Sequence, residues 1–300
     1  MIKKLAELKE LVEGAETRII AVAAAEDQDI MDVVKAAGRS GMAQFILVGD
    51  GEKIKSLMNQ NGIQEDLAKV IHVPGHKAAA EKVVELAKSG DCHAIMKGNL
   101  HTSIFLKAML DKEKGVTKGG LLSQVSVYDK VYGEGLQLLT DCVMSITPTL
   151  EEKSDIIRNA VELAHKLGYE KPNVALLSAV EVINPKIPDT LDAAILSKMC
   201  DRGQIKGCVV DGPFALDNAL SGEAAKHKGI QSPVAGNADI IVAPNLQVGN
   251  VLHKAIVYMA KKDVAAAIMG ADVPVIATSR TDTVASKLLT MRLALYLART

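Results

Sequence analysis

The chain has 300 residues, of which 48% are hydrophobic but only 3% aromatic, and it lacks tryptophan. That length suits about two domains with cores of their own. Apolar content made of Ala, Val, Ile and Leu suits parallel strands buried on both faces. Lys plus Arg number 35 and Asp plus Glu 36, a net charge of −1 that offers no field to nucleic acid or a membrane surface. A small anionic substrate must therefore be held by a local site.

The first 16 residues, MIKKLAELKELVEGAE, place Leu5, Leu8, Leu11 and Val12 at helical spacing and read as an amphipathic helix rather than a signal peptide. Apolar runs then alternate with helical patterns. Strands are predicted at 18–25, 44–49, 70–73 and 93–97, and helices at 30–41, about 50–61, 77–89 and 102–112. The Gly-rich stretch 115–135 breaks the rhythm and predicts one or two antiparallel strands near a change of domain. Strands follow at 136–139, 174–178, 208–211, 240–244 and 274–278, with helices at 150–167, 190–202, 248–262 and 283–298. Such alternation predicts right-handed βαβ units and mostly parallel sheets. No apolar run approaches the length of about 18 residues needed to span a bilayer, and a soluble, cytoplasmic protein is expected. Cys92, Cys142, Cys200 and Cys208 form neither a CxxC pair nor a zinc pattern, and read as reduced, mostly buried thiols.

Each apolar strand runs into a polar segment: MKGNLHT (96–102), TDCVMSITP (140–148), SAVEVINP (178–185), VDGPFALDN (210–218), APNLQVGN (243–250) and TSRTD (278–282). In open parallel sheets ligands bind outside the carboxyl ends of the strands. In TSRTD, Ser279 is expected to cap the last helix and contact an anion, and Arg280 adds a planar, permanently charged fork suited to phosphate. In the first segment, Gly98 lets backbone approach a ligand, Thr102 or Ser103 caps a helix, and Lys97 and Lys107 flank it with positive charge. Asp141, Asp211 and Asp217 are carboxylates able to take a thiol proton, or else ordinary turn residues. HExxH, Walker A and G-x-G-x-x-G motifs are absent, which argues against a zincin, a P-loop NTPase and an ordinary dinucleotide enzyme.

At these same loops the chain resembles the phosphate acetyl/butyryltransferase family, and most its butyryl-transferring members. The likeness is densest in SAVEVINPKIPDTLDAAILSKMCDRGQIKGCVVDGPFALDNALS (178–221), with TDCVMSITPTLEEK, AGNADIIVAPNLQVGNVLHK and GADVPVIATSR in agreeing order. The resemblance implies two isocitrate-dehydrogenase-like α/β domains with a cleft between them. The first would comprise 1–134 plus 274–300, and the inserted second 135–273. It implies acyl-CoA and inorganic phosphate as substrates, with CoA as substrate rather than cofactor, no metal, and a homodimer or larger homo-oligomer. It further implies direct attack of the CoA thiolate on the acyl phosphate, with Ser279 and Arg280 on the phosphoryl group and Lys97, Gly98, Thr102 and Lys107 helping to hold it. Asp282 is then the first candidate for the thiol base and Asp211 the reserve. Asp141, Asn184, Gly212 and Asn250 would complete the substrate-binding set. Departures from the family pattern are Val284, Ala285 and Ser286 where relatives carry a further acid, Lys107 in place of Arg, LSQ (122–124) in place of LSH, and LQVGN (246–250). They leave acetyl or branched-chain preference, or a CoA-binding protein that has lost catalysis, as the alternatives.

Overall fold

A computed structural model describes residues 1–13, 18–117, 119–279 and 282–299. The chain divides into two compact units, one of Ala6–Gly119 with Ala265–Thr300, the other of Met1–Leu5 with Gly120–Val264. The breaks thus fall near 119/120 and 264/265, against the 134/135 and 273/274 expected from the sequence.

In the first unit the elements follow in order: α1 (Glu7–Val12), β1 (Arg18–Ala23), α2 (Gln28–Arg39), β2 (Ala43–Gly49), α3 (Gly51–Asn61), β3 (Ala68–His72), α4 (Gly75–Ser89), β4 (Ala94–Lys97) and α5 (Thr102–Met109). The second unit contains β5 (Ser123–Asp129), β6 (Leu136–Thr140), α6 (Leu150–Lys166), β7 (Asn173–Leu177), α7 (Pro188–Asp201), β8 (Val209–Phe214), α8 (Leu216–Leu220), α9 (Gly222–His227), β9 (Ile240–Val242) and α10 (Leu246–Lys254), which ends in a π-helical turn, Ala255–Met259. The chain then re-enters the first unit with β10 (Ala265–Met269), β11 (Val275–Ile276) and α11 (Val284–Leu297).

Strand order in the first unit is β3-β2-β1-β4-β11-β10. Pairing is parallel from β3 to β11, and β10 runs antiparallel to β11. The central strand β1 buries Ile20, Ala21, Val22 and Ala23 completely, as a strand covered on both faces must. One core cluster joins Ile20 and Val22 to Phe45, Leu47, Met96 and Ile276 on neighbouring strands and to Met31, Val34, Met291 and Leu295 on α2 and α11. On α2 the buried positions Ile30, Val33, Val34 and Ala37 repeat at i, i+3, i+4 and i+7, and Asp27 caps the first turn by accepting the Asp29 N–H.

In the second unit the order is β5-β6-β9-β7-β8. The β5–β6 pair is antiparallel and the rest parallel, so the antiparallel element expected near 115–135 is present. Thr149 and Glu152 close a reciprocal capping box at the start of α6. The sequence reading missed β10: its AAAIM run has weak strand propensity, and burial rather than composition makes it a strand. Leu11, expected on the buried face of the first helix, is 42% exposed.

Strand order reverses at β1. The chain moves from β1 to β2 and β3 in one direction, then α4 carries it back to β4 on the other side of β1. A crevice must open where the two directions diverge, outside the carboxyl ends of β1 and β4. The backbone is strained at that point: Ala24, fully buried, has φ of 54°. A non-glycine residue there costs roughly 1–2 kcal/mol. Ala24→Gly should therefore be about 1 kcal/mol less destabilising than Ala21→Gly, since both delete one buried methyl and only the first relieves strain. Equal losses in denaturant unfolding would contradict the strain.

Candidate active site

Nine residues line a small recess at this crevice: Asp27, Asp29, Ile30, Lys97, Gly98, Asn99, Thr278, Ser279 and Lys287. Three of the expected residues, Lys97, Gly98 and Ser279, are thereby brought together although far apart in sequence. The parallel neighbours β1, β4 and β11 deliver their loops to this one place.

The glycine has a definite reason. A Cβ on residue 98 would collide with the carbonyl oxygens of Ala23 and Ala24. Gly98 N–H donates to Ala23 O and Asn99 N–H to Ala24 O, each at 2.8 Å. The sequence reading assigned the backbone around Gly98 to a ligand; the structure uses these two amides to tie the β4 loop to the end of β1. Lys97 Nζ donates to the carbonyls of Gly98 and Leu100, both at 3.2 Å.

Ser279 is exposed and does not cap the last helix. Thr283 does so, its hydroxyl accepting the Ser286 N–H, and α11 begins at Val284. Ser279 N–H instead donates to Asp282 Oδ2 at 2.8 Å, and Asp282 N–H returns to Ser279 O at 3.2 Å. These two bonds hold the Asp282 carboxylate beside Ser279. Arg280 lies outside the described residues. Thr102 is the first residue of α5, and the cap position belongs to His101 rather than to Thr102 or Ser103. Lys107 is exposed and lines a separate groove between α4 and α5 with Lys77, Lys82, Lys88 and Lys114.

The remaining expected residues belong to the second unit. Asp141 is buried at the end of β6, where its carboxylate accepts the N–H groups of Val143, Met144 and Ser145. Asn250 Nδ2 donates to Cys142 O at 3.2 Å, so Asp141 and Asn250 organise one loop. Within β8, Asp211 Oδ1 accepts the Gly212 N–H at 2.8 Å. Asn184 Oδ1 accepts the Lys186 N–H, and the backbone N–H of Asn184 donates to Thr190 Oγ1. Among the described residues no group of three or more His, Cys, Asp or Glu could hold a metal, and no helix is long and apolar enough to cross a membrane.

Sequence reasoning missed Lys287. The signal was present: at i, i+3, i+4 and i+7, Lys287, Thr290, Met291 and Ala294 are all buried on α11, so a charge interrupts a core-facing stripe.

The thiols are protected. Burial pushes the Cys92 thiol up to about 11 and the Cys142 and Cys208 thiols up to about 12. Few would be thiolates near neutrality, which is poor chemistry for a nucleophile.

A family profile described as Phosphate acetyl/butaryl transferase matches residues 77–295. The chain belongs to that family. It is 44% identical over 298 residues to the phosphate butyryltransferase of Clostridium acetobutylicum, covering 99% of each. It is 42% identical over 293 residues to the phosphate acetyltransferase of Thermotoga maritima, covering 97% of this chain and 99% of that one. Its structure superposes on a branched-chain phosphotransacylase from Enterococcus faecalis with a TM-score of 0.84 at 34% identity, covering 94% of this chain and 99% of the other.

Gly98→Ala should cost about 1–3 kcal/mol, because the obstacles are carbonyl oxygens and not yielding side chains. Gly120→Ala, whose Cβ meets nothing within 4 Å, should stay within about 0.5 kcal/mol of wild type; equal stabilities would refute the close approach. In native protein at pH 8, Cys92, Cys142 and Cys208 should react with a thiol dye far more slowly than after unfolding, and immediate labelling of Cys142 would contradict its burial. The same raised values mean that unfolded thiols ionise first, so this contribution to stability fades as pH rises from about 9 towards 12.

Proposed function

We propose that this phosphate acyltransferase exchanges a short-chain acyl group between coenzyme A and inorganic phosphate, with butyryl-CoA plus phosphate giving butyryl phosphate plus CoA as the first reaction to assay. Family membership along almost the whole chain carries this reading. The recess at the β1–β4 switch point supports it, because Lys97, Lys287 and Ser279 line it, beside Asp27 and Asp29. The butyryl- and acetyl-transferring relatives are nearly equal in identity, 44% and 42%. Acyl length therefore rests on the side chains that meet the acyl group, where one methylene is worth only about 1–3 kcal/mol.

In the direction of CoA consumption, the thiol proton passes to a carboxylate as sulfur bonds to the acyl carbon. The carbon–oxygen bond to phosphate then breaks, and phosphate leaves with the electron pair. Asp282 is our first choice of base, supported by the hydrogen bond that holds its carboxylate beside Ser279. Asp211 is the reserve. Direct attack, without an acyl-enzyme, is favoured by the burial of Cys92, Cys142 and Cys208. Ser279 and Arg280 would bind the phosphoryl group, and positioning plus fixed charge would supply the catalysis. Neither metal nor cofactor enters this scheme. The enzyme would work in the cytoplasm as a homo-oligomer, a reading supported by apolar side chains left in water, Val251 at 69% and Met259 at 82% exposure.

Phosphate-dependent CoA release from acetyl-, butyryl- and isobutyryl-CoA tests the proposal. Release should require phosphate, favour a C4 acyl group and fall by about 10²–10³-fold in Ser279→Ala, the range for losing one preorganised donor. Absence of phosphate-dependent release with all three thioesters would refute it.

A further inference from the structure

Lysine is among the residues least often fully buried, because its ammonium must leave water. Lys287 is 5% exposed. The carboxylate paired with it is Asp29 Oδ2 at 3.6 Å, with side-chain exposures of 6% for Lys287 and 58% for Asp29. The pair is lopsided: the cation is desolvated while the anion stays in water. Such a pair is long and half solvated, and stabilises little. It does not offset the cost of burying the ammonium. The first turn of α11 supplies no acidic residue either.

What Lys287 does share is the recess. Lys287, Asp29, Lys97 and Ser279 all line it, at the carboxyl ends of β1, β4 and β11. The Lys97 ammonium is held there by two carbonyl oxygens. Asp27, the other acid on the wall, accepts the Asp29 N–H as the cap of α2. Asp29 is thus the anion most easily exchanged, and phosphate would bring up to two charges where Asp29 brings one.

We infer that Lys287 is a phosphate-binding residue: its ammonium donates to a phosphoryl oxygen in the recess, and Asp29 holds its place until phosphate arrives. The inference rests on the phosphate acyl-transfer reading and adds a cation that the motif loops do not contain. It also explains the burial. A buried lysine fixed by the helix loses little freedom when the anion binds, and its charge is less screened than one in open water.

The test compares Lys287→Met, Lys287→Arg and Asp29→Asn with wild type, measuring KM for phosphate, KM for butyryl-CoA and melting temperature. Lys287→Met should raise KM for phosphate about 10–100-fold, the range for losing a hydrogen bond to a charged group, with KM for butyryl-CoA changing far less. Lys287→Arg should recover most of that loss. Asp29→Asn should leave KM for phosphate equal or lower, because it removes the competing anion. If Lys287 serves only to pair with Asp29, the Met and Asn variants will behave alike, and the inference fails. An unchanged KM for phosphate in Lys287→Met also overturns it, while leaving the reaction intact. Should wild type show no phosphate-dependent release, the reaction assignment falls by itself. Titration calorimetry with inorganic phosphate then decides this inference alone: binding by wild type and weakening in Lys287→Met sustain it, and no difference between them refutes it.

Discussion

The constraint on which the site depends is the reversal of strand order at β1. Once β2 and β4 occupy opposite sides of β1, the loops leaving β1 and β4 must diverge, and no helix can cover the gap. The loop that leaves β4 is tied there by backbone. The amides of Gly98 and Asn99 bind the last carbonyls of β1, and Ala24 accepts a left-handed conformation to present one of them. Glycine is required at 98 because backbone, not ligand, occupies the space of its side chain. The walls of the recess are the loops that leave β4 and β11 and the first turns of α2 and α11. A preorganised anion site works in this way, since donors fixed before binding need not be ordered by it.

A chain with net charge −1 has no long-range field to gather a small dianion. It needs cations placed locally, and the fold brings Lys97 from the end of β4 and Lys287 from the first turn of α11 to one recess, where Asp27 and Asp29 balance their charge. The cysteines are treated in the opposite way. Three of the four are buried, and their raised values keep them as thiols. In the proposed chemistry the reactive sulfur is then the substrate's own.

Much of this was legible in the sequence. Apolar runs such as RIIAVA and QFILVG become strands because buried parallel strands need continuous apolar sequence, and periodic segments such as 150–166 become helices because one face must be buried. The polar segments after the strands identified the rim of each unit. What escaped was what periodicity does not encode. Strand β10 is alanine-rich and owes its conformation to its neighbours. Ser279 looked like a cap because Thr283, four residues on, has the same chemistry and a better position. Lys287 stands on the core-facing stripe of α11, but periodicity does not say which wall that stripe meets. Lys107, placed beside the phosphate loop by sequence proximity, lies instead on the groove between α4 and α5, because five residues into α5 the chain has turned away from the rim.

The central claim is that the β1–β4–β11 recess is where phosphate binds. A crystal structure grown with inorganic phosphate tests it most directly. The account predicts a phosphate in that recess, within hydrogen-bonding distance of Lys287 Nζ and Ser279, with the Asp29 carboxylate moved away from Lys287. A phosphate bound elsewhere, with the Lys287–Asp29 pair intact, would contradict it.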